Sequence, residues 1–443
     1  MKTITPTNVA FPGAVPELLR RCEQALDLML THRGDPSSEI ERVLAEDPGF
    51  VFAHCLRAAL IVRADADAAR PALAESLAAI EAACPDMNDP ACRHAAAARA
   101  WLDGNQALAS ERYGTIVVDR PRDVLALMVA HALDFRLGRR PMLRDRVAQV
   151  LPEWKPATPG YASVLAMYAF GLEENGQYRR AEKLARRALT LDPRHPGAIH
   201  VIAHVMEMQG RARGPRVPCR DRAGLDRGHW FLSPSGMDRA LFHLDADDPD
   251  AALAVYDTMI AKGSGLDMSV LADASALLWR LRLRGIEVGE RWRPLADRWE
   301  AHSLAGARPF YVVHALIAFA STGRSAATVV ALQALRHADP VGTALSLPEE
   351  ALAQPLCEAL LAFASGDYAS CVKSLTRVRH IAHRCGGSLA QCDLIHLTLT
   401  EAALRARKAQ LARALVSERA AQKPASRLNR RLQQRLQTMP AVA

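Results

Sequence analysis

Apolar positions along this chain recur every three or four residues, and almost nowhere do they alternate strictly. A period near 3.6 places them on one face of a helix, whereas a half-buried strand needs a period of two. The clearest stretch runs from Ser163 to Arg194. There, two helix-length segments flank Gly176-Gln177-Tyr178, and the second stops at Leu191-Asp192-Pro193. Glycine at the inter-helix turn adopts positive φ at little steric cost. Ala181, Ala185 and Ala188 fall at helical spacing, where small side chains let a second helix approach closely. Pro193 cannot continue the helix and closes the unit.

Small residues at these offsets with a closing Asp-Pro form the tetratricopeptide pattern. Gly210 follows Gly176 by 34 residues, which is that repeat's period. Weaker units follow the same plan. One runs from Ala240 to Asp245 and on to Ala252 and Tyr256; another has Leu360, Gly366-Asp367-Tyr368, Cys371 and Leu375; a last one has Leu404, Ala412 and Pro424. Nearer the start, Glu39 to Leu60 holds two helices about the turn Asp47-Pro48-Gly49. Each unit hides one helix face only by stacking on its neighbours. The predicted fold is therefore all-α, a superhelical solenoid of antiparallel helix pairs. The expected divisions are a degenerate-repeat region over 1–155, a repeat array over 156–425, and a basic tail over 426–443.

Composition agrees with helix. Half of the chain's 443 residues are hydrophobic but only 5% are aromatic, and Ala and Leu, which lose little entropy in a helix, dominate. No apolar run approaches the roughly 20 residues that cross a bilayer, and Pro12 and Pro16 interrupt the start, so the expectation is a cytoplasmic protein without a membrane partner. The nine cysteines include no CxxC pair and read as core residues or free thiols. The formal charge of +8 is concentrated from Arg405 onward, where ten Lys and Arg residues face Glu418 alone. Such a stretch can contact nucleic acid or anionic lipid. Without interleaved aromatics for base stacking, a solvated helix face is the expectation instead.

Several strings resemble the tetratricopeptide repeat protein 38 family. They are Asp134-Phe135 with Arg144-Asp145, the run Ala169-Phe170-Gly171-Leu172-Glu173-Glu174, and His200-Val201-Ile202-Ala203-His204-Val205-Met206-Glu207-Met208-Gln209-Gly210. Further along come Ala240-Leu241-Phe242-His243-Leu244, Tyr256-Asp257, Val288-Gly289-Glu290-Arg291-Trp292, and Gly386-Gly387-Ser388-Leu389-Ala390-Gln391-Cys392-Asp393. The resemblance implies a tetratricopeptide architecture and no particular reaction. It also implies an Arg where Cys392 stands, and a His-x-x-Trp-His-type string just before Ala240. That place reads Phe231-Leu232-Ser233-Pro234-Ser235-Gly236-Met237-Asp238-Arg239 instead.

The block from Gly214 to Asp238 is rich in Arg, Gly and Pro and has no helical period. We read it as the product of two compensating frame changes. From Arg213 onward, the permitted codons read one nucleotide later can yield EGLAFL, TEPAWTEGTGF and SVHLAW. Met237 followed by the first base of Asp238 forces a tryptophan codon in that frame.

Candidate chemistry centres on His200, His204 and Glu207. Spacings of four and seven residues place them on one helix face. Two imidazoles and a carboxylate form the donor set that binds divalent transition metals, so these three are the metal candidates. His131, His243 and His314 are further pocket candidates on other predicted helices. No organic cofactor is expected. Glu173 and Glu174 read as an exposed helix end, because adjacent carboxylates point to different helix faces. Gly386-Gly387-Ser388 lacks the context of a nucleophile elbow, so Ser388 is expected to cap a helix. Trp279, Trp292 and Trp299 read as anchors between helices, with a ligand-gripping groove as the alternative. The functional expectation is a scaffold that holds a peptide, a protein or a small molecule on its concave face. The alternative is a metal-dependent or His-based enzyme with its pocket at His200, His204 and Glu207.

Sequencing the gene across codons 205 to 245 tests the frame reading. An indel that restores the His-Trp-His string is expected; a next frame that cannot encode it refutes the reading and leaves 214–238 an ordinary insertion.

Overall fold

The computed structural model describes residues 15–84, 86, 88–211, 232–260, 267–305, 307–336 and 349–438. Among them every regular element is helical, and consecutive helices pack as neighbours. The first helices are α1 (Pro16–Thr31), α2 (Pro36–Glu46), α3 (Val51–Ala64), α4 (Arg70–Ala83) and α5 (Pro90–Leu102). Then come α6 (Gln106–Asp119), α7 (Val124–Arg136), α8 (Arg140–Val150), α9 (Tyr161–Glu173), α10 (Tyr178–Leu191) and α11 (Pro196–Met208). The next are α12 (Leu232–Ala246), α13 (Pro249–Ile260), α14 (Met268–Leu283), α15 (Trp292–Glu300), α16 (Pro309–Thr322) and α17 (Ser325–Arg336). The last five are α18 (Glu349–Ala364), α19 (Tyr368–Val378), α20 (Leu389–Arg405), α21 (Ala409–Gln422) and α22 (Arg427–Gln437).

Local chemistry sets the ends of these helices. Asp35, Asp89, Asn105, Asp123, Asp267, Asp367, Ser388 and Ser426 each accept a first-turn backbone N–H with their side chains. Proline opens α1, α2, α5 and α16, where its missing N–H is no loss. The pair read most clearly from sequence appears as α9 and α10 about Gly176, whose φ is 72°. On α10 only Ala181, Ala185 and Ala188 are buried, so a narrow seam of methyl groups faces α9 while the remainder meets water. A still closer approach occurs at Gly171 of α9. A Cβ there would lie 2.3 Å from the Leu143 carbonyl oxygen of α8, so no larger residue fits without backbone movement.

The chain forms two compact units. The first extends through Ile202 and the second takes up at Ala203, so the division falls inside α11. In the second unit α14 is the innermost helix, with Leu271 to Leu281 buried without interruption. Trp279 and Trp299 are fully buried, and their indole N–H groups donate to Thr398 Oγ1 and Ser275 Oγ, each at 2.9 Å. Trp292 is buried as well. The three tryptophans are thus anchors between helices and not ligand grips.

One expectation needs correction. The irregular block was expected to extend to Asp238, yet Leu232 to Asp238 lie within α12, with Met237 and Asp238 buried. A helix forms there because Met237, Ala240, Leu241 and Leu244 supply an apolar stripe at helical spacing. The part of the block over 214–231 lies outside the described residues. The basic tail, expected as a helix face, is a helix over most of its length: Ser426 caps α22, and Asn429 and Leu432 are buried. Residues 439–443 lie outside the described residues. No described helix is long and apolar enough to cross a membrane.

Candidate functional site

The polar residues of interest fall into two groups, one in each unit. In the second unit, the end of α11 presents His204 and Glu207, three residues apart and therefore adjacent on its surface. His204 Nε2 lies 3.2 Å from Asp238 Oδ1 on α12, and both side chains are buried. The Glu207 carboxylate is engaged by the Lys423 ammonium, which arrives from the connection between α21 and α22. The same connection explains Gly210. A Cβ at that position would lie 2.6 Å from the Ala425 side chain, and its φ of 65° suits glycine.

The Gly386-Gly387-Ser388 string folds as a helix start, as expected. Ser388 and Gln391 form a reciprocal capping box at the head of α20. The Gln391 amide continues outward and donates to Asp273 Oδ1 of α14 at 3.1 Å. Two residues on, Asp393 receives the Arg419 guanidinium of α21 at 2.5 and 3.2 Å. Arg419 also donates to Asn429 Oδ1 at 3.2 Å, and Asn429 returns its amide to the Arg419 and Lys423 carbonyls. At the centre, Arg280 of α14 donates to the Ala390 carbonyl at 2.5 Å. Burial presses on the Arg280 charge, and Asp393, Glu207 and Asp273 offset it. Burial would raise the Asp393 pKa, but Arg419, Arg280 and Lys423 outweigh it and hold the carboxyl at about 2. The result is a compensated interior: Arg280, Arg419 and Lys423 against Asp273, Asp393 and Glu207.

His314 of α16 adjoins this network. Its Nδ1 lies 2.7 Å from the Phe310 carbonyl, which makes Nδ1 the protonated nitrogen, and burial pushes its pKa down to about 4. It is a neutral core imidazole at ordinary pH, and its Nε2 is buried without a hydrogen bond. His243 sits elsewhere on α12, 3.9 Å from Asp248 and half-exposed. It is five residues beyond Asp238, roughly 140° around the helix, and so faces away from His204.

In the first unit, a run of rings crosses three alternate helices. Phe170 of α9 has its ring centroid 5.9 Å from His131 and 5.7 Å from Phe135, both on α7. On its other side it stacks on His200 of α11, with centroids 6.2 Å apart and planes inclined by 22°. All four residues stay partly exposed on helices that are mostly buried. Beside them Glu173 and Glu174 are buried, contrary to the exposed helix end expected. The reason is α8, whose Arg140 guanidinium lies 3.5 Å from the Glu174 carboxylate. Asn175 fixes the same corner by donating to the Arg140 and Gly171 carbonyls, each at 2.7 Å.

Of the sequence-derived candidates the structure keeps His200 and His204 together, one turn apart on α11, and separates the others. His131 and His200 belong to the ring run, His204 pairs with Asp238, Glu207 pairs with Lys423, and His314 and His243 stand apart. Asp238, Arg280, Asp393 and Lys423 carry much of the polar structure and were not singled out as site residues. No protein-family model matches the chain.

If the Lys423–Glu207 pair is structural, removing only its cation leaves a carboxylate stranded in a mostly buried place. Lys423→Met is expected to destabilise the chain by about 2–4 kcal/mol in urea unfolding, and Lys423→Met with Glu207→Leu should recover most of that.

Proposed function

We propose that the chain is a tetratricopeptide-type binding protein, similar to the tetratricopeptide repeat protein 38 family, whose helix pairs stack as a solenoid. Its ligand is a peptide, a protein segment or a small molecule held on the inner face of the array, in the cytoplasm. The observation that carries this reading is the run His131, Phe135, Phe170 and His200. These rings come from α7, α9 and α11, and stacked helix pairs of this kind create extended concave binding surfaces. Partly exposed aromatic faces offer apolar area, which is what a ligand face needs. The charges of the second unit support the same division of labour. Arg280, Arg419 and Lys423 are met there by Asp273, Asp393 and Glu207, so these six charges hold helices together.

A second reading, a His-based or metal-dependent enzyme, draws on His204 and Asp238. A carboxylate 3.2 Å from an imidazole fixes the tautomer and raises basicity, as in many metal sites. His200 stands one turn earlier on α11 and would add a second imidazole; Glu207, the carboxylate first expected in that set, is engaged by Lys423.

Thermal-shift screening of the full chain against peptide and metabolite libraries tests the first reading. Each hit is then titrated against Phe170→Ala. A loss of about 10- to 100-fold in affinity, with the fold intact by circular dichroism, is the expected result. Hits that bind Phe170→Ala and His200→Ala as tightly as the parent place the ligand elsewhere. Metal analysis of chelator-free protein separates the second reading, since a stoichiometric ion lost in His204→Ala would favour it.

A further inference from the structure

The turn between α4 and α5 carries two thiols that the binding reading leaves unused. Cys84 ends α4 and Cys92 lies in the first turn of α5. Each thiol perturbs the protonation of the other. Cys92 Sγ also donates to the Cys84 carbonyl at 3.2 Å, and Cys84 Sγ donates to Asp89 Oδ1 at 3.7 Å. Asp89 is itself tied down, because it caps α5 by accepting the Ala91 N–H at 2.8 Å. Both sulfurs are thus held between the end of α4 and the capped start of α5. Their access differs: Cys84 is partly exposed, whereas Cys92 is buried.

We propose that Cys84 and Cys92 are a dithiol–disulfide couple, a modification site for low-molecular-weight disulfides. The difference in access assigns the order of events. Cys84 loses its proton to solvent, and its thiolate attacks one sulfur of the small disulfide. An S–S bond forms between protein and reagent, and the reagent's other half leaves as a thiolate. Cys92 then gives up its proton and attacks Cys84 Sγ, displacing the second half of the reagent. Two protein thiols are oxidised to one disulfide, one small disulfide is reduced to two thiols, and the two protons end on those thiols at neutral pH. The product ties α4 to α5 covalently. It also removes both S–H donors, so Asp89 keeps only its helix-capping bond.

The surroundings set the conditions for this chemistry. Burial, and then the neighbouring Cys92, push the Cys84 thiol up to about 12, and burial raises Cys92 as well. The attacking species is the thiolate, so the reduced pair persists at neutral pH. The rate then climbs about tenfold per pH unit between pH 7 and 9.

The experiment uses the full chain, reduced, with excess oxidised glutathione at pH 7, 8 and 9. Samples are quenched in acid, alkylated in denaturant and cleaved at Asp86 and Asp89, which separates the two cysteines. A single linked pair, Cys84 with Cys92, two hydrogens lighter than the alkylation-free fragments, is expected, with the other cysteines alkylated. In Cys92→Ser, Cys84 should instead retain a glutathione adduct, because no second thiol is there to displace it. The proposal is overturned by a persistent adduct on Cys84 of the parent chain, by links scattered over other cysteines, by no link at pH 9, or by a rate that does not rise with pH. These readouts on the parent chain decide the matter even if the variant fails to fold.

Discussion

A charge placed inside an all-helical unit has to be met by opposite charge, and the second unit is arranged round that requirement at Arg280. Its helix, α14, is buried on nearly every side, so the guanidinium cannot reach bulk water. Asp273 lies on the same helix, Asp393 comes from α20, and Glu207 from the end of α11. Each carboxylate is then held by a further partner, Gln391, Arg419 or Lys423. Removing one member would leave a neighbour stranded in low dielectric, and that cost exceeds the net worth of any single pair. The network thereby fixes the positions of helices that are far apart in sequence, which undirected apolar packing does less selectively.

The first unit uses a different constraint. Its helices approach through small residues, with Ala181, Ala185 and Ala188 on α10 and Gly171 against the α8 backbone. Close backbone approach buries area without large side chains. The bulky rings of α7, α9 and α11 are then left partly exposed along one line. Polar groups that are buried here are locked in place. Asp134, for instance, accepts from Arg146 at 2.5 Å and from Ser110 at 2.7 Å. The ring line is therefore presented on a stiff support, which is what a binding face requires.

Much of the local structure was legible in the sequence. Gly176, the alanine seam and Asp192-Pro193 act within one helix pair, so their spacing alone places α9 and α10. Ser388 and Gln391 were legible for the same reason, since a capping box spans four residues. The long-range partners were not. Glu207 and Lys423 are 216 positions apart, and nothing local marks Lys423 among the other basic residues near it. Asp238 escaped notice because it lies at the end of a block without helical period, where the apolar stripe of α12 is only beginning. Glu173 and Glu174 were misjudged because the helix that buries them, α8, is set by tertiary packing. The ring run was hidden too, because Phe135 and Phe170 look like ordinary core positions until their helices are aligned with those of His131 and His200.

Hydrogen–deuterium exchange of the full chain, read helix by helix, tests most directly whether the charged interior is what organises the second unit. If α14 and its compensated charges are the support, the amides from Leu271 to Leu281 will exchange more slowly than those of any other helix in that unit, and Arg280→Met will release them together with α20 and α21. Amides of α14 that exchange as fast as those of α22, or an Arg280→Met chain with unchanged protection, would contradict it.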